Sequence, residues 1–257
     1  MMPAECGVVD GAICFKYIMS SRATGSRTIV HSRDLEELSV ADFQRAFDRF
    51  VVVQSSLMSC TSTSVTSPMW FHFEGRNMEP VLQMMQYVRA NAPPKSVVSV
   101  EIEALRYDWA LARKLVASAN FAFVSKDYIR DKLGYGSAAC FLEAEFKKLQ
   151  TEATGSLKAL ISPWGADGVY YLDEESGDQG KMVRRIPTKR LDQVVESIGA
   201  GDSFIGASIA ALSRGLPLDV ALRMACEVAT SKCLQVGLNL PHEACQQWIQ
   251  AIRTYTA

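Results

Sequence analysis

The sequence predicts an α/β fold, a parallel sheet with helices on both faces. From residue 69 onward, short β-rich runs alternate with stretches of helical spacing, the rhythm of strand–crossover–strand units. The chain has 257 residues and is 48% hydrophobic, enough for a sizeable core in one or two domains. Its last fifth, from about residue 202, reads as helix after helix, which is what covering a sheet requires.

The elements follow in order. Residues 13–19 and Thr28-Ile29-Val30 are rich in β-formers and flank a turn-like Ser-Arg-Ala-Thr-Gly-Ser, which reads as a hairpin. This hairpin stands apart from the later alternation and suits a small β-element covering a site. Ser39-Val-Ala-Asp42 fits a capping box, followed by Phe43, Ala46, Phe47 and Phe50 at helical spacing. Val51–Pro68 is dense in Ser and Thr without a clear period and reads as a solvated loop. Strands are expected at 69–73, 96–102, 121–124 and 157–161, and a hairpin from 169–172 to 182–186. Helices are expected at 77–88, with Asn77 as cap and Pro80 in the first turn, and at 108–119, 127–133, 138–149, 202–213, 218–236 and 241–254.

Charge and cysteine usage narrow the class. Lys plus Arg number 27 and Asp plus Glu 28, a net charge of -1. That is not the basic footprint of a nucleic-acid binder. No apolar run approaches the ~20 residues of a transmembrane helix, and Met1–Asp10 lacks the pattern of a signal peptide. Seven cysteines without CxxC spacing and three histidines argue against a zinc site or a disulfide framework. A cytoplasmic enzyme without nucleic-acid or membrane partners is the expectation.

Gly199-Ala200-Gly201-Asp202-Ser203-Phe204 is the most informative stretch. A β-rich Val194-Val195 precedes it, and helical spacing follows through Phe204, Ala207, Ser208 and Ala211. Two glycines allow a tight turn that aims N–H groups at one point, at the positive end of the following helix. Such a place binds phosphate or a developing anion. An aspartate there repels phosphate, so it suits another role, that of taking a proton from a hydroxyl that attacks the γ-phosphate. A plain helix cap is the alternative reading of Asp202.

This hexapeptide resembles the GAGD[ST]F motif of the PfkB/ribokinase carbohydrate kinases. Ser26-Arg27-Thr28-Ile29-Val30, Phe73-Glu74-Gly75-Arg76-Asn77, Val98-Ser99-Val100-Glu101-Ile102-Glu103, Phe123-Val124-Ser125-Lys126-Asp127 and Lys232-Cys233 stand in the order expected of the ketohexokinase branch of that family. The resemblance spans about residues 12 to 240. It implies a ribokinase-like sandwich with a small β-hairpin lid: residues 1–32 as part of the lid, and 33–257 as the core carrying the ATP site, with 51–68 as an inserted loop. It further implies ATP-dependent phosphorylation of a ketose, with fructose, at its C1 hydroxyl, the leading substrate. Asp202 is then the catalytic base and a sugar contact, and Gly199, Ala200 and Gly201 form the anion hole. Arg27, Gly165, Ala166, Asp167, Gly168, Phe204, Cys226, Ala229 and Cys233 are implied ATP contacts. Read alone, Arg27 is an exposed hairpin arginine, and Cys226 and Cys233 are core. Glu101 is a candidate for holding Mg²⁺ through water, with Asp127 weaker. A buried or edge carboxylate is an equal reading of both. K⁺ dependence and a homodimer through the lid are also implied.

Three departures stand out. The family opens with a strand, a sugar-binding aspartate and a Gly-Gly-Asn segment, and this sequence has no Gly-Gly pair. Glu196 stands where the family usually has Asp, and 51–68 has no family counterpart. The resemblance therefore implies an N-terminally truncated chain, and with it a second reading: an inactive form that keeps nucleotide binding or dimerisation.

Overall fold

In the computed structural model, residues 14–20, 27–33, 36–58, 69–152, 157–174, 182–238 and 242–256 are described. Six strands form one sheet: β3 (Trp70–Glu74), β4 (Val97–Ile102), β5 (Phe121–Val124), β6 (Ala159–Pro163), β7 (Val169–Asp173) and β8 (Arg184–Ile186), in that order across it. β3 to β6 are parallel, while β7 and β8 return as an antiparallel hairpin beside β6. A separate antiparallel pair, β1 (Cys14–Ser20) and β2 (Arg27–Arg33), is the expected N-terminal hairpin.

Side-chain alternation assigns the two faces. Phe71 and Phe73, Val98, Val100 and Ile102, Ala122 and Val124, and Leu160 all belong to or pack against one apolar cluster. On that face lie α1 (Val40–Met58), α2 (Met78–Asn91), α3 (Trp109–Ala117) and α4 (Ala138–Glu152). Phe43 and Phe47 of α1 meet Phe73 and Phe71 with ring centroids 5.8 and 5.4 Å apart, which fixes α1 against the edge strand. The opposite face offers Phe123, Ile161, Val169 and Tyr171 to Phe204 of α5 (Ala200–Leu212) and to Leu222, Ala225 and Cys226 of α6 (Leu218–Cys233). Ile252 of α7 (His242–Thr256) closes a third cluster with Ala211, Leu216 and Ala221. The α/β fold with helices on both faces is therefore the one the sequence predicts.

Local rules account for the ends. Ser39 closes the expected capping box, its Oγ accepting from the Asp42 amide at 3.1 Å. Asn77 holds the N-cap of α2 by backbone alone, at φ 43°, with no side-chain cap bond. Two expectations need correction. Residues 51–58, read as the start of a loop, continue α1 to Met58. Val51 packs on the same apolar cluster as Phe43 and Phe47, and such tertiary packing overrides weak helix propensity. The rest of that segment, 59–68, lies outside the described residues. Val194 and Val195 form no strand. Pro187 ends β8, and the chain crosses to the helices, where the Val195 amide bonds the Cys233 carbonyl at 2.8 Å.

Candidate active site

The site begins with one backbone conformation. Gly199 sits at φ 77° as the N-cap of α5, a region that costs other residues about 1–2 kcal/mol. A Cβ here would also overlap the Leu238 side chain. The turn starts α5 at Ala200, placing Gly201 and Asp202 in its first turn. Their amides have no intrahelical acceptor there, while the Ala200 amide bonds Ser197 O at 3.2 Å and the Ser203 amide bonds Gly199 O at 2.9 Å. Gly201, expected to share the tight turn, is helical instead. Nothing lies within 4 Å of where its Cβ would be, so its missing side chain leaves open room.

That room belongs to a cavity of about 430 Å³. Gly165, Ala166, Gly168, Ala200, Gly201, Phe204, Cys226, Ala229 and Cys233, nine of the residues singled out in the sequence, all line it. Gly168 has φ 92° and ψ -144°, and a Cβ there would run into the Ile186 carbonyl across the hairpin. Its carbonyl takes the Trp164 amide at 2.7 Å, which ties the 165–168 turn tightly back on itself. Burial pushes the Cys226 thiol up to about 11, so it is a neutral apolar wall rather than a nucleophile. Sequence reasoning missed Thr188, Lys189, Arg190, Leu191, Val194, Ser197 and Thr230, which also line the cavity. Thr188 and Thr230 hydroxyls meet at 2.9 Å, and Thr230 also donates to Cys226 O at 2.7 Å. No local pattern marks a pair 42 residues apart.

Four singled-out residues with described side chains, Asp167, Asp202, Glu101 and Asp127, are not among the lining residues, and neither is Gly199; Asp127 is exposed and pairs with Arg130 at 3.3 Å. Asp167 is exposed, and its carbonyl accepts from Arg185 Nε at 2.9 Å. Arg27 opens β2 opposite Ser20; its side chain lies outside the described residues. Asp202 is exposed in the first turn of α5. Glu101 stands near the C-terminal end of β4, opposite Glu74 in the register. Burial first, then the charges of Glu103, Asp202 and Glu74, push its carboxyl up to about 8, against the opposing pull of Arg76. The carboxylates of β3, β4 and α5 thus form an excess of negative charge on one side of the turn. Among the described residues no three His, Cys, Asp or Glu side chains come close enough to hold a metal unaided.

Behind the turn, Lys232 is fully buried. Its Nζ donates to Glu196 Oε2 at 3.2 Å, Glu196 O at 3.3 Å and Gln235 O at 3.4 Å. The Gly237 amide also donates to Glu196 Oε2, at 2.8 Å. The Gly237 bond and then Lys232 hold the Glu196 carboxyl below its ordinary range. This clamp joins the strand-to-helix crossing to the loop after α6, whose Leu238 abuts Gly199.

Comparison with known proteins identifies this chain's relatives. The family model for the pfkB family carbohydrate kinases matches residues 108–245. Mouse ketohexokinase is 30% identical over 245 residues, covering 92% of this chain and 67% of that protein. Ribokinase from Giardia lamblia superposes with a TM-score of 0.71 at 15% identity, over 96% of this chain and 73% of that one. A Burkholderia thailandensis nucleoside kinase solved with inosine gives 0.59 at 15%, over 92% and 67%. At these identities the solved structures establish the fold, ribokinase-like, and the sequence matches establish the kinship. A family match over more than half of the residues, joined to a relative at 30% identity, means that this chain belongs to the pfkB family of carbohydrate kinases.

Proposed function

We propose that this chain transfers the γ-phosphoryl group of ATP to a hydroxyl of a ketose, with fructose the first substrate to test. The observation that carries the reading is the Gly199 turn, which opens α5 onto the 430 Å³ cavity while setting Asp202 just beyond it. The apolar wall of Phe204, Cys226 and Ala229 suits a purine base. Gly199, Ala200 and Gly201 suit the transferred phosphoryl group, with first-turn amides as donors. Asp202 takes the proton of the attacking hydroxyl as its oxygen bonds to phosphorus and the bond to the ADP oxygen breaks. Mg²⁺ would supply charge neutralisation on the phosphates, bound largely by phosphate oxygens and water. Glu101, where the carboxylates of Glu103, Asp202 and Glu74 outweigh the one cation Arg76, would meet its water shell. Arg27 and Asp167 remain candidate nucleotide contacts, and the β1–β2 hairpin a candidate dimer clasp.

A second reading, nucleotide binding without turnover, draws on one observation. The charges that reach Glu101 beside Asp202 are mostly carboxylates, with Arg76 the one cation among them, and net negative charge there disfavours the oxyanion that a deprotonated hydroxyl becomes. An ADP-release assay with and without fructose separates the two. Fructose-driven release that disappears in Asp202→Asn supports the kinase. Folded protein that binds an ATP analogue and releases no ADP with fructose supports the second reading.

A further inference from the structure

The mouth of the cavity carries a feature that the family motif does not contain. Of its seventeen lining residues, Lys189 and Arg190 are the only charged ones, and none is acidic. The neighbouring cations are engaged: Arg185 lies over the Tyr170 ring and donates to Asp167 O, and Lys126 lies over the Trp164 ring. Lys189 and Arg190 are exposed, and neither makes a hydrogen bond or ion pair among the described residues. In a chain of net charge -1, two adjacent uncompensated cations on an otherwise apolar cavity raise the local concentration of anionic ligands. A planar guanidinium and a point ammonium together suit phosphate oxygens.

We propose that Lys189 and Arg190 form a cationic rim that selects nucleotides bearing a polyphosphate tail over uncharged nucleosides at this cavity. The proposal rests on the nucleotide reading of the site and adds its charge specificity. The two residues are specificity determinants; the phosphoryl transfer itself is left to the α5 turn.

The test is calorimetric titration of the intact chain with ATP, ADP and adenosine, without Mg²⁺, at two salt concentrations. The wild type should bind ATP at least about tenfold more tightly than adenosine, with a marked salt dependence. In Lys189→Ala/Arg190→Ala that ratio should shrink about three- to tenfold and the salt dependence should weaken, while adenosine affinity stays within about twofold. The charge-reversed Lys189→Glu/Arg190→Glu should shrink it further. An unchanged ratio in both variants overturns the rim and leaves the nucleotide reading intact. Equal weakening of ATP and adenosine overturns it too, because the residues then shape the cavity rather than read charge. A wild type that binds none of the three at millimolar concentration removes the nucleotide reading and the rim with it.

Discussion

Gly201→Ala should raise stability and lower nucleotide affinity at once. Gly201 is helical and sits in the first turn of α5, with nothing within 4 Å of a Cβ. Replacing glycine by alanine in a helix gains about 0.5–1 kcal/mol. For a chain of this size that is a rise in Tm of about 1–4 °C. The same methyl group would project into the open room of the cavity that Gly201 lines. A phosphate displaced from a first-turn amide loses a charge-assisted hydrogen bond of about 1.5–3 kcal/mol, roughly 10- to 100-fold in affinity. Thermal unfolding with and without an ATP analogue reads both effects: the free variant melts higher, and the ligand-induced shift shrinks. A variant that melts lower refutes the claim that the glycine is dispensable to the turn. One that binds the analogue like wild type refutes the placement of phosphate at Gly201.

Gly168→Ala should be destabilising, by about 1–3 kcal/mol from backbone strain alone. A Cβ would strike the Ile186 carbonyl, so the β7–β8 register of Val169 with Ile186 must shift; thermal unfolding measures it. Glu101 binds a proton more tightly folded, at about 8, than its ordinary 4.5. Stability from this group is therefore present below pH 4.5 and is lost as pH rises towards 8, by a total on the order of 3–5 kcal/mol. Glu101→Gln should flatten that slope in denaturant titrations between about pH 5 and pH 8, and an unchanged slope counts against the carboxylate cluster. Lys232→Met should lower Tm and weaken nucleotide binding, since the clamp on Glu196 buttresses the loop that abuts Gly199; a variant that melts like wild type would show the clamp to be idle.

The sequence revealed most where one residue type has one backbone use. The Gly199 turn and the alternation of strands with helices are local, and each was legible from spacing and composition. Glu196 and Lys232 show the limit. Read along the chain, Glu196 is only a departure from a family aspartate, 36 residues from its partner. Folded, it receives both the buried ammonium and the Gly237 amide. The cavity's far wall was invisible for the same reason. Thr188, Lys189 and Arg190 sit in a segment without period, and they reach the cavity, with Thr188 meeting Thr230 of α6, only because Pro187 ends β8 and the chain turns to the helix side. The helix over 51–58 was missed for the opposite reason: its local composition argues for a loop, while the aromatic contacts of α1 with the edge strand supply the stability that propensity lacks. The turn therefore sits between two unlike surfaces. On its cavity side the only charged side chains are cations, and on its sheet side the carboxylates of β3 and β4 crowd until one of them holds its proton. A phosphate entering the cavity would meet the charge suited to it, while the carboxylates would resist the negative charge a hydroxyl develops as it gives up its proton, which is why altering the two sides separately is the informative experiment.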